Sequence, residues 1–101
     1  MRIYISGPIT GREEDARERF SACEDNLFRI LGNDIEIINP YEIGQMAAMN
    51  AKLEHKDFMK ISFALMDLCD AVFFLEGWEY SVGCNQEWIY AKNRHMKVVK
   101  E

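Results

Sequence analysis

Gly83 and Glu87 lie four residues apart in the segment Gly77-Trp78-Glu79-Tyr80-Ser81-Val82-Gly83-Cys84-Asn85-Gln86-Glu87. On a helix the two share a face, and the absent side chain at Gly83 opens space beside the Glu87 carboxylate in which a ligand can sit. Ser81, just ahead of that helix, can cap it or bind an anion together with the first free amides. A carboxylate in the early turns of a helix feels the positive end of the dipole. That favours the ionised form, the form a nucleophile or base must have. Spacing alone leaves a second reading open, in which Glu87 is a surface residue that complements the dipole.

A second loop carries compatible chemistry. Ser6-Gly7-Pro8-Ile9-Thr10-Gly11-Arg12 holds two glycines, two hydroxyls and an arginine. Glycines let the backbone approach a phosphate, amides at a helix start point outward, and Arg offers a fork of donors. The loop is neither a Walker sequence nor G-x-G-x-x-G, and a tight turn without a ligand remains the alternative. Tyr4, Trp78 and Tyr80 flank the two loops and can stack on a base or sugar, whereas Phe73, Phe74 and Trp88 read as core. Trp78 fits either role. His55 and His95 are far apart, without metal-like spacing, and read as surface histidines.

The elements that must position these loops follow from periodicity. Arg2 to Ser6 is a short apolar strand that Gly7-Pro8 ends, because proline cannot extend a central ladder. Ala16, Phe20, Cys23, Leu27 and Ile30 recur every three or four residues and predict a helix from Glu13 to Leu31. Thr10 and Glu13 fit a capping box at its start, and Gly32-Asn33 a stop at its end. Ile35 to Ile38 predicts a second strand closed by Asn39-Pro40. Tyr41 to His55 reads as a loop with a short helix. Phe58, Ile61, Leu65 and Leu68 predict a helix over Lys56 to Leu68. A strand at Ala71 to Leu75, a loop through Gly77 to Val82, a helix from Gly83 to Arg94 and a strand at Met96 to Val99 complete the chain.

Strands that alternate with helices predict an α/β fold, a small doubly wound, flavodoxin-like or Rossmann-like parallel sheet of about four strands with helices on both faces. Right-handed crossovers leave few ways to wind it, and the order expected is 2-1-3-4, with the first strand between the second and third. In that order the chain changes direction beside the first strand, and ligands bind beyond the carboxyl ends of the strands at such a switch. The loops Ser6 to Arg12 and Glu76 to Gly83 meet there.

Composition bounds the rest. The chain of 101 residues has room for one domain, residues 1–101. Its 49% hydrophobic and 29% charged residues fit a globular protein. The longest apolar runs fall far short of the roughly 20 residues of a membrane span, and the start lacks a signal-peptide layout, so a cytoplasmic location and no membrane partner are expected. Cys23, Cys69 and Cys84 form no C-x-x-C pair and read as buried free thiols. A net charge of −5 argues against a nucleic acid polymer as partner. It does not exclude one small phosphate, which a local pocket of amides can hold.

Taken together, Ile3-Tyr4-Ile5-Ser6-Gly7-Pro8-Ile9-Thr10-Gly11, the strand entry Cys69-Asp70-Ala71-Val72, and Gly77-Trp78-Glu79 with Ser81, Gly83, Glu87 and Ala91 resemble the nucleoside 2-deoxyribosyltransferase-like family. The resemblance implies that Glu87 attacks the anomeric carbon of a deoxynucleoside and forms a covalent intermediate, which a second base or water resolves. The transferases carry an aspartate where this chain has Ser81. A serine there is similar to the deoxynucleoside 5'-monophosphate N-hydrolases, which implies phosphate recognition by Ser6, Thr10, Arg12 and Ser81. A further acid of the family falls near Ser62 or Ala64 here, so no residue is assigned to protonate the leaving base; Asp67 and Asp70 are near in sequence but need not face the same way.

The candidate catalytic residue is thus Glu87. The candidate substrate-binding residues are Tyr4, Ser6, Gly7, Pro8, Thr10, Gly11 and Arg12 from the first loop, and Gly77, Trp78, Ser81 and Gly83 from the second. A small nucleoside or nucleotide is the expected partner, with no metal or cofactor. A non-catalytic nucleotide-binding module and a structural protein with a disused pocket are the competing accounts. The resemblance also implies a homodimer or larger homo-oligomer, for which Met and Ala residues in Tyr41 to His55 suit a contact.

Overall fold

A computed structural model of the chain describes residues 1–49 and 51–101. Asn50, inside the expected contact segment, lies outside the described residues. Four strands form one all-parallel sheet: β1 (Arg2–Ser6), β2 (Glu36–Ile38), β3 (Ala71–Phe74) and β4 (Lys97–Lys100). Their order is β2-β1-β3-β4, the order expected from the chain's alternation of strands and helices. Tyr4 is the Cα partner of Ile38 on one side and of Val72 on the other, and Ser6 pairs with Phe74.

Because side chains alternate along a strand, β1 serves two cores. Ile3 and Ile5 turn to the face shared with Ala71 and Leu75, where Phe20, Cys23 and Leu27 of α1 (Glu13–Leu31) pack. Tyr4 turns to the opposite face with Val72 and Phe74, where Met66 and Ala91 close over it. Met66 ends α3 (His55–Met66), and Ala91 belongs to α4 (Val82–Asn93). One helix covers one face and two cover the other, as right-handed crossovers through this strand order require.

The short α2 (Pro40–Ala47) follows β2 directly. Asn39 caps it by accepting from the Tyr41 amide at 3.1 Å, and Pro40 occupies the first position, where no amide hydrogen is needed. One turn of 3-10 helix (Trp78–Tyr80) precedes α4.

Local expectations fail at three places. The capping box of Thr10 and Glu13 does not form: the cap of α1 is Arg12, which makes no side-chain capping bond. Instead the Arg12 amide donates to the Ile9 carbonyl at 2.9 Å, with Gly11 at a φ of 84° in the position where such a turn needs glycine. That turn sets Thr10 back from the helix. Ile30, counted in the apolar stripe of α1, is 68% exposed. A helix of 19 residues is about 28 Å long, and it overruns a sheet whose strands have three to five residues. Finally, Met59 and Met66 are the buried positions of α3, while Leu68 falls beyond the helix and is exposed. Phe58 and Ile61 line a cavity rather than the packed core.

No helix among the described residues is long and apolar enough to cross a membrane. All three cysteines are free; Cys23 and Cys84 are buried and Cys69 is half-buried.

Candidate functional site

The alternation that buries Ile3 and Ile5 on one face sends Tyr4 and Ser6 to the other, at the carboxyl end of β1. Both reach Glu87. The Tyr4 hydroxyl donates to Oε2 at 2.6 Å and the Ser6 hydroxyl to Oε1 at 2.7 Å. Glu87 is only 6% exposed, so the reading of it as a surface residue is overturned. The sheet face and α4 enclose the carboxylate, and each of its oxygens is held by one neutral donor.

Glu87 forms no salt bridge among the described residues, and its electrostatics follow from that. Burial raises its pKa above the usual carboxylate range, and the hydroxyls of Ser6, Tyr4 and Ser62 pull it part of the way back. A helix dipole favours the charged form of a carboxylate in its early turns, but the net direction for Glu87 is upward and its largest cause is desolvation. The Tyr4 phenol is pushed well above its ordinary value, chiefly by burial and then by the Glu87 charge. Tyr4 thus stays a donor at any physiological pH. Burial also raises the neighbouring Cys84 thiol.

Above the carboxylate opens a cavity of about 250 Å³. Of the candidate residues, Tyr4, Ser6, Gly7, Thr10, Ser81, Gly83 and Glu87 line it. Gly7 admits its neighbours closely: a Cβ there would lie 2.5 Å from Leu75 Cδ1 and 3.1 Å from Phe20 Cζ. Ser81 caps α4, its hydroxyl accepting from the Cys84 amide at 3.2 Å. The Gly83 gap is real but shared, since a Cβ would sit 3.6 Å from Met59 Sδ and 3.7 Å from His55 Cε1.

The remaining candidates lie elsewhere. Arg12 and Gly77 line a separate groove with Glu76, Glu79 and Glu101. The Arg12 guanidinium sits near Asp15, at 3.5 Å. Pro8 is buried, and its carbonyl accepts from Arg19 Nη2 at 2.8 Å. Gly11 is exposed in its turn. Trp78 stacks on Trp88, with ring centroids 4.6 Å apart, and tilts against Phe74 at 5.2 Å, so it packs as core rather than presenting a face to the cavity. Tyr80 is 93% exposed.

Several cavity residues are not among the candidate binding residues of the sequence. Tyr41 and Gly44 come from α2, and His55, Phe58, Met59, Ile61 and Ser62 from α3. Tyr4, which the sequence offers for stacking on a base or sugar, spends its hydroxyl on Glu87. A signal for that partnership exists: Tyr4 and Ser6 are alternate residues of an otherwise apolar strand, so one buried face carries two hydroxyls that need an acceptor. Asp67 and Asp70 both point outward. Asp67 accepts from Tyr90 and pairs with Arg94 at 2.8 Å, and Asp70 accepts from the Arg2 amide. Among the described residues no group of His, Cys, Asp or Glu side chains is arranged to hold a metal ion.

An all-parallel 2-1-3-4 sheet, with a glutamate buried under a cavity beside the carboxyl end of its first strand, defines a small Rossmann-like α/β protein. The chain belongs to the DUF4406 family, a domain of unknown function, whose pattern matches residues 1–100. No curated protein matches the sequence.

Proposed function

We propose that this protein cleaves or transfers the N-glycosidic bond of a deoxynucleoside or its 5'-monophosphate, with Glu87 as the nucleophile, as the resemblance to nucleoside 2-deoxyribosyltransferase-like proteins implies. The observation that carries the reading is the buried Glu87 carboxylate, held at both oxygens by Tyr4 and Ser6 beneath an open cavity. A purely structural glutamate gains little from such a place, because burying a charge without a cation is costly.

Chemically the arrangement suits a carboxylate nucleophile. With only neutral donors beside it, the group is more basic than a solvated carboxylate and its orientation is fixed. One oxygen attacks C1′ as the bond to the base breaks, and the two hydroxyls later receive the carboxylate when water or another base displaces it. Phosphate recognition is the weaker part of this reading, since Arg12 lies outside the cavity and Ser81 is engaged as a helix cap.

The test is release of free base from a panel of deoxynucleosides and their monophosphates. The expected result is release by the native protein that a Glu87→Ala variant loses; no release above the variant rejects the reading. A second reading, a nucleotide-binding module without turnover, is favoured by the outward commitment of Asp67 and Asp70, which among the described residues leaves no second carboxylic acid lining the cavity of Glu87. Thermal stabilisation by a nucleotide without turnover would support it.

A further inference from the structure

The reading of Glu87 as nucleophile leaves the departing base without a proton source, and the cavity contains an imidazole able to supply it. We propose that His55, the first residue of α3, is the general acid that protonates the leaving base and the general base that activates the resolving water; this rests on the glycosidic reading of the site. His55 lines the same cavity as Glu87. Its Cε1 lies 3.7 Å from where a Cβ on Gly83 would be. Glu87 is four residues further along α4, about 6 Å of helix rise. His55 and Glu87 thus line one cavity on either side of the Gly83 gap, and a glycosidic mechanism places its nucleophile and its acid on the two sides of the bond that breaks.

The ring is also oriented. His55 Nε2 bonds Gln86 Oε1 at 2.7 Å, and α3 starts at a fixed point because the Glu54 amide donates to Asp57 Oδ2 at 2.9 Å. Among the described residues only Nε2 of the ring is hydrogen-bonded, so Nδ1 is the nitrogen left to exchange a proton. Tyr4 and Cys84 also line the cavity, but burial holds their protons more tightly. In the first step a Glu87 oxygen forms the bond to C1′, the C1′–N bond breaks with its electron pair going to the base, and His55 Nδ1 delivers the proton that neutralises it. In the second step Nδ1 takes a proton from water, the water oxygen bonds C1′, and the ester electron pair returns to Glu87.

Leaving-group dependence tests the assignment. Single-turnover release is measured for native protein and His55→Gln with a deoxynucleoside, its 5'-monophosphate and 4-nitrophenyl 2-deoxyribofuranoside, whose nitrophenolate departs without a proton. The expected result is a loss of roughly 100-fold or more in base release from both nucleoside forms, with nitrophenolate release kept, which also reports that the variant is folded. Equal loss on all three substrates, no loss on the nucleosides, or loss confined to the monophosphate overturns the assignment while leaving the glycosidic reading intact. A native protein inactive on all three overturns both.

Discussion

Replacing Tyr4 with Phe removes one hydroxyl from the Glu87 carboxylate and leaves the ring in the core, where Tyr4 is 1% exposed. The 2.6 Å bond it deletes ends on a buried acid, so its worth depends on whether that acid is ionised. A hydrogen bond to a charged group contributes about 1.5–3 kcal/mol and one between neutral groups about 0.5–1.5 kcal/mol. The sign follows from linkage. The folded-state pKa of Glu87 is raised by burial, so the stability it contributes is fully present below its unfolded value and is lost as pH rises through the folded value. The Tyr4 bond opposes that rise, and its removal pushes the pKa up further.

Tyr4→Phe is therefore expected to destabilise the protein by about 1.5–3 kcal/mol at a pH above the folded-state value of Glu87, and by about 1 kcal/mol less at a pH where Glu87 is protonated in both states. Urea unfolding of both proteins at the two pH values measures this. A Glu87→Gln background should abolish the pH dependence of the difference, because the amide cannot ionise. Equal destabilisation at both pH values would refute the picture of a carboxylate held by Tyr4, and so would a pH-dependent difference that survives in Glu87→Gln.

Three further outcomes are expected. Gly7→Ala should cost about 1–3 kcal/mol by overpacking, since its Cβ would press on both Leu75 and Phe20; an unchanged denaturation midpoint counts against the packing described. Burial pushes the Cys23 thiol up to about 12 and the Cys69 thiol up to about 11, so at roughly pH 8 about one Cys69 in a thousand is thiolate, and native protein should react with a disulfide reagent far more slowly than unfolded protein. Light scattering should give a dimer or larger assembly, because α2 and the residues after it expose Ile43, Met46 and Met49; a stable monomer at micromolar concentration refutes this, and Met46→Glu should shift the equilibrium toward monomer.

What could be read from the sequence divides along one physical line. Strand order, helix number and the meeting of two loops follow from local periodicity and from the handedness of crossovers, and these rules act on the chain without knowledge of side-chain partners. Residue roles depended on which face of an element met which neighbour. Trp78 could be core or stacking surface until Trp88 and Phe74 were placed beside it. Arg12 looked like a phosphate ligand because it ends a glycine-bearing loop, yet the turn over Ile9 to Arg12 carries its side chain to the groove with Gly77.

Its spacing from Gly83 points to Glu87, but a helix position carries information about the dipole and none about the sheet face beneath it, so the burial that raises its pKa is not legible there. The period-two pair Tyr4 and Ser6 is the missing half. A strand buried on both faces has no reason to spend two hydroxyls on one side unless an acceptor stands opposite, and α4, packed on that face, offers Glu87 as a buried acidic side chain. The same alternation that makes β1 a core strand thus makes it the arm that aims the acid.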